Sequence, residues 1–225
     1  MKNKVRKERP KRTRHQKRAV RTREKLLSAS KSLFSERGFD AVTIDEITET
    51  ADLGKGTFYY HFGTKDQLIK ELIRDVLGEL EQAIKEKAKS SNDLHRLLDN
   101  IILAHIDFFD DRWEEFVLYF QGRSEMILDN GYEGLDTPFI SYQNSIEELI
   151  DAMIQTHLPK ATLRRIACAI TGFISGLYSF SLISTPDEEI HKTLNTMRSA
   201  LVASLARFIK EALPAVPSEL IVGQN

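Results

Sequence analysis

From about residue 19 to residue 213, apolar positions recur every three or four residues, and no segment alternates convincingly with a period of two. The spacing predicts nine helices. The first covers 19–37, with Leu26, Leu27, Ser30, Leu33 and Phe34 on one face and Gly38 as its stop. Two short ones follow at 44–51 and 55–61. A longer one at 65–89 carries Leu68, Leu72, Val76, Leu80 and Ile84, with Gly78 in its middle read as a close-packing point. Further helices are expected at 93–110, 112–126, 139–157 and 160–184. The last, ending near 213, starts from Thr185-Pro186-Asp187-Glu188, a capping box with proline at the first helical position. Residues 128–138 hold two glycines and a proline and read as a loop. The expected fold class is all-α, divided into an N-terminal arm (1–18), a small three-helix head (19–66), a C-terminal helical bundle (67–213) and a loose tail (214–225).

The most informative stretch is 43–67, TIDEITETADLGKGTFYYHFGTKDQ. Thr43 and Glu46 form a capping box, Val42 and Ile47 can staple it, and Thr64 to Gln67 repeats the box for the next helix. Phe58 and Phe62 lie four apart on one face, so Lys55, Gly56, Thr57, Tyr59 and Tyr60 point away from it. A short helix with this outward surface, braced by two phenylalanines, suits a DNA groove.

This stretch, together with LFSERGFDAVTIDEIT before it, resembles the helix-turn-helix of the TetR family of bacterial transcriptional regulators across residues 20–70. Asp52 departs from the usual turn glycine, Gly54 from a serine cap, and Thr48 from a common alanine. Aspartate visits the left-handed region more readily than most residues, and glycine is an acceptable cap, so the turn survives. The resemblance implies that Lys55, Gly56, Thr57 and Tyr59 meet bases and nearby phosphates. Thr43, at a helix N-terminus, would hold a phosphate oxygen through its amide and hydroxyl. Tyr60, His61 and Lys65 would grip the DNA backbone.

Charge sharpens the picture. The net charge of −1 conceals 13 Lys/Arg against 2 acids in residues 1–25, a net of +11, and a net of −12 over the remainder. Residues 1–18 have almost no apolar content and cannot build a core. Arg12, Arg14, Lys17 and Arg18 are expected to track phosphates or enter a minor groove. Cys168 is the only cysteine, so no internal disulfide forms and a cytoplasmic location fits. Residues 166–185 carry no charge and include Gly172-x-x-x-Gly176, but six hydroxyl residues make a membrane span a poor reading. A buried oligomer-interface helix is the better one.

A head this small reads few base pairs, so a homodimer on two-fold operator DNA is expected. Ala169, Gly172 and Gly176 would let helices approach across the interface, with Met197, Leu201 and Leu205 on the following helix. Two such helices from each subunit would make a four-helix bundle, as in the family. The family also implies a small-molecule effector, largely apolar, that releases DNA by tilting the 65–89 helix. Candidate ligand residues are His105, Phe109, Trp113, Phe116, Phe120, Tyr142 and Phe173. The family supplies the expectation of a repressor. No cofactor, metal site or catalytic constellation is expected, because the six histidines are scattered and no metalloprotease or phosphate-loop motif occurs. Rival readings are a helical enzyme or lipid-binding protein with a basic arm, and a non-specific architectural DNA binder.

Overall fold

The computed structural model describes residues 13–110, 112–128, 134–154, 158–184 and 187–213, within which there are nine helices and no strands. They are α1 (Arg14–Arg37), α2 (Ile44–Thr50), α3 (Lys55–Phe62), α4 (Lys65–Ala88), α5 (Leu94–Asp110), α6 (Trp113–Leu128), α7 (Asp136–Met153), α8 (Lys160–Ser184) and α9 (Asp187–Ala212). Contacts divide the chain into two compact units, Met1–Leu72 and Ile73–Asn225.

The first helix begins earlier than its apolar pattern suggests. Thr13 accepts from the Gln16 amide and the Gln16 side chain accepts from the Thr13 N–H, a capping box that starts α1 at Arg14. Arg14, Lys17 and Arg18 therefore stand on a helix rather than on an extended arm. Arg12, the Thr185-Pro186 half of the last cap and the 214–225 tail lie outside the described residues. In the N-terminal unit, Leu26, Phe34, Phe39, Val42, Ile47, Phe58, Phe62 and Leu68 are buried together. Burial of this size is the main source of stability for so short a set of helices.

In the C-terminal unit the principal packing partners are α7 with α8 and α5 with α9. Its core joins aliphatic residues (Leu97, Leu98, Ile101, Ile102, Ile146, Ile150, Ile166, Ile170) to an aromatic group from α5, α6, α7 and α8. Two glycines behave differently here. Gly78 is exposed, and a Cβ added there meets nothing within 4 Å, so close packing does not explain it. Gly122 is the position that packing demands: a Cβ would fall 2.9 Å from Ile73 Cδ1 and 3.2 Å from the Phe139 ring. Helix α7 starts ahead of Phe139, with Pro138 inside its first turn, where a missing N–H costs nothing.

Candidate functional site

The pair of short helices α2 and α3 is shaped by two local devices. At the start of α2, the Thr43 hydroxyl accepts from the Glu46 amide (3.3 Å), and the Thr43 N–H and hydroxyl both donate to Glu46 Oε2 at 2.8 Å. The hydrogen bond from the Thr43 backbone, followed by the one from Arg37, holds the Glu46 carboxyl down at about 2. Between α2 and α3, Asp52 takes the left-handed conformation (φ 53°), and the Leu53 amide returns to the Thr48 carbonyl at 2.9 Å. Gly54 then caps α3 without a side chain. The aspartate thus does what a turn glycine would do.

On α3, Phe58 and Phe62 are buried and pack at 5.7 Å between centroids. Tyr59 and Tyr60 are 52% and 81% exposed, values that place both rings outward. Lys55 and Gly56 are exposed, Thr57 and His61 half-buried. A Cβ on Gly56 would meet nothing within 4 Å, so nothing inside the head requires glycine there. Lys55 forms an ion pair with Asp45, both well exposed. Burial, and then the nearby Arg23 charge, lowers the His61 pKa. Arg23 lies 5.2 Å over the Phe62 ring and pairs with Glu71, tying the first, third and fourth helices of the head together.

Two assignments change. Lys65 does not face outward: its Nζ donates to the carbonyls of Phe39 (2.9 Å) and Val42 (3.1 Å), locking the α1–α2 connection to the start of α4. A lysine bound to two carbonyls is a strut, not a spare cation for phosphate. Thr43 likewise has both donors engaged by Glu46, so a phosphate would first have to displace that carboxylate. One residue was missed. Arg21 is exposed and continues the line of Arg14, Lys17 and Arg18 along α1, a spacing of i, i+3, i+4 and i+7 that reads as one basic face once the helix start is known.

The candidate ligand residues divide into buried and exposed ones, joined by ring contacts through Phe116 and Tyr119. His105, Phe109, Phe116 and Tyr142 are buried, with Phe109 5.4 Å from both Phe116 and Tyr119. The His105 ring bonds the Ile101 carbonyl through Nδ1 (2.7 Å) and the Tyr142 hydroxyl through Nε2. Burial pushes the His105 pKa down to about 4 and the Tyr142 pKa well up, so both are neutral. Phe173 is half-buried, whereas Trp113 and Phe120 are 44% and 42% exposed. Seven residues apart, those two share an outer line on α6, and their rings flank that of Phe116, with centroids at 5.4 Å and 6.2 Å from it. A groove of about 370 Å³ between α7 and α8 is lined by Asn144, Glu147, Glu148, Asp151, Leu158, Lys160 and Leu163, none of them in the predicted set.

Of the predicted interface residues, Ala169, Gly172, Gly176 and Met197 are exposed and Leu201 is half-buried. Leu205 is buried within its own subunit, turned toward the core of α9's inner face. Among the described residues, no helix is long and apolar enough to cross a membrane, and no group of His, Cys, Asp and Glu could hold a metal ion.

A left-handed turn joining two short helices, the second presenting polar and tyrosine residues outward, defines a helix-turn-helix DNA-binding protein with a helical C-terminal domain. Residues 26–72 match the family described as bacterial regulatory proteins, tetR family. The head is therefore a DNA-binding domain of the tetR family type, and the chain as a whole is similar to transcriptional regulators of that family. It is 28% identical over 134 residues to an uncharacterized HTH-type transcriptional regulator, YvdT, of Bacillus subtilis, a match covering 60% of this chain and 68% of that one. With the HTH-type transcriptional repressor KstR2 of Mycolicibacterium smegmatis it shares 27% over 97 residues, 43% of this chain and about half (47%) of the repressor. The crystal structure of FadR from Bacillus subtilis in complex with stearoyl-CoA has the same fold, with a TM-score of 0.62 at 16% identity over 81% of this chain and 97% of that one.

Proposed function

We propose that this regulator is a homodimeric repressor that binds a two-fold operator and is released by a small, largely apolar effector. The observation that carries the DNA reading is the outward face of α3 (Lys55, Gly56, Thr57, Tyr59, Tyr60) over buried Phe58 and Phe62. In this reading Lys55, Thr57 and Tyr59 reach base edges, Tyr60 and His61 meet the backbone, and the α1 face of Arg14, Lys17, Arg18 and Arg21 neutralises phosphates. The exposed small residues of α8, Ala169, Gly172 and Gly176, join Met197 and Leu201 of α9 at the subunit interface. The similarity to a named repressor favours repression, and the fold shared with a ligand-bound FadR favours an effector. Catalysis has no part in the reading, and the protein acts in the cytoplasm.

Selection of bound sequences from random DNA tests it. The expected outcome is an inverted repeat bound selectively by the wild type, with Tyr59→Ala losing selectivity. Recovery of no consensus, or complete loss of binding on deleting residues 1–18, would favour a non-specific binder instead.

A further inference from the structure

We propose that the effector carries a carboxylate on an apolar or aromatic body, and that Arg123 on α6 binds it. This rests on the effector reading above and names the chemistry of the ligand. Among the described residues four arginines, Arg23, Arg123, Arg164 and Arg198, are half-buried. Three of them pair with a carboxylate: Arg23 with Glu71, Arg164 with Glu147 and Arg198 with Asp99. Arg123 has only neutral partners among the described residues. Its Nη1 donates to Ser175 Oγ (2.6 Å), Tyr119 Oη (3.4 Å) and the Thr171 carbonyl (3.5 Å), and its guanidinium carbon lies 5.8 Å from the Tyr119 ring centroid.

A guanidinium withdrawn from water with no counter-charge is costly, and a bound anion would remove that cost. The geometry is prepared for one. All three contacts use Nη1, so Nε and Nη2 keep their donors for a two-pronged carboxylate. The neighbouring belt is also incompletely satisfied. Gln143 Nε2 donates to Thr171 Oγ1 at 3.1 Å, while Gln143 Oε1 is buried with no hydrogen-bond partner. Half a turn of that amide would present an N–H in place of the oxygen, with the Thr171 hydroxyl turning its one hydrogen from the Cys168 carbonyl (3.4 Å) to the amide oxygen. The apolar body would pack beside a buried aromatic cluster, in which the Tyr119 ring stands 5.4 Å from Phe109 and 5.7 Å from Phe139, by parting these rings.

The full-length protein is titrated with octanoate and 3-phenylpropionate and with the primary amides of both, following melting temperature and heat of binding. At least one acid should bind at least about tenfold more tightly than its amide, as a charge-assisted pair requires. Arg123→Gln should remove that preference and Arg123→Lys retain part of it, both keeping wild-type affinity for the selected operator. The proposal is overturned if neither acid binds, if acid and amide bind alike, or if Arg123→Gln still prefers the acid. Amides that bind and release operator would sink the role of Arg123 while leaving an effector. Acids that bind through Arg123 without releasing operator would keep the site and remove the regulatory reading.

Discussion

Arg23 in the head and Arg123 in the C-terminal unit do similar things with opposite bookkeeping of charge. Each lies over an aromatic ring, Phe62 in one case and Tyr119 in the other. Arg23 is closed off by Glu71, while Arg123 is held by hydroxyls and a carbonyl. The head answers its polar groups from within: Glu46 serves Thr43 and Arg37, Lys65 serves two loop carbonyls, and Asp45 meets Lys55. Among the described residues of the C-terminal unit, Gln143 Oε1 and Arg198 Nε are buried without a partner. A part that must keep one shape in order to fit a duplex gains from internal closure; the effector response proposed for the other part would gain from unfinished valence.

The comparison can be broken most forcefully at the centre of the head. Phe58→Ala should cost about 3–5 kcal/mol, enough to unfold so small a unit, read as an early melting phase and lost DNA binding. A single late transition would mean that the head draws its stability from elsewhere.

Next comes acid. The folded His105 pKa is about 4, below its ordinary 6.5, so the unfolded chain binds the extra proton between those values. Stability is therefore complete above the ordinary value and falls as pH drops toward 4, with a slope of about 1.4 kcal/mol per pH unit from this group at most. The depressed Glu46 pKa has the same sign but acts lower, between its ordinary 4.5 and about 2. Melting temperatures across this range should begin to fall near 6; a flat profile down to 4 would remove His105 from the account.

Gly122→Ala should destabilise the C-terminal unit by about 1–3 kcal/mol through the clash with Ile73 and Phe139. Lys65→Met should cost a similar amount, about 1–3 kcal/mol, by orphaning the Phe39 and Val42 carbonyls. Its distinguishing sign is the slope of log affinity against log salt, which should stay at the wild-type value; a slope shallower by about 0.9 would return Lys65 to the phosphates. The smallest effect has the opposite sign: Gly78→Ala should stabilise by up to about 1 kcal/mol, since nothing crowds the new methyl group. Calorimetry on the three variants ranks them directly.

How much of this could be read in the sequence depended on the range of the interaction. The Thr43–Glu46 box, the left-handed Asp52 and the buried Phe58–Phe62 pair all join residues within one turn of each other, and short spacing declares them. The start of α1 obeys the same rule, since Thr13 and Gln16 form a box at i, i+3, but it stands in a basic stretch without apolar spacing to mark a helix. Lys65 failed for a different reason: its carbonyl partners sit 26 and 23 residues away, and nothing local marks them. Trp113 and Phe120 required the rotational setting of α6, which only packing against other helices fixes. Arg123 needed Thr171 and Ser175, 48 and 52 residues off, before its lack of a carboxylate could be noticed.

The exposed position of Cys168, four residues before Gly172 on α8, has a practical side. One thiol per chain, open to solvent in an isolated subunit, is a reporter already installed on the surface where a second copy is expected to settle. A maleimide dye would react quickly in dilute solution and slowly once copies associate, so labelling rate against concentration yields the assembly constant of the unaltered protein.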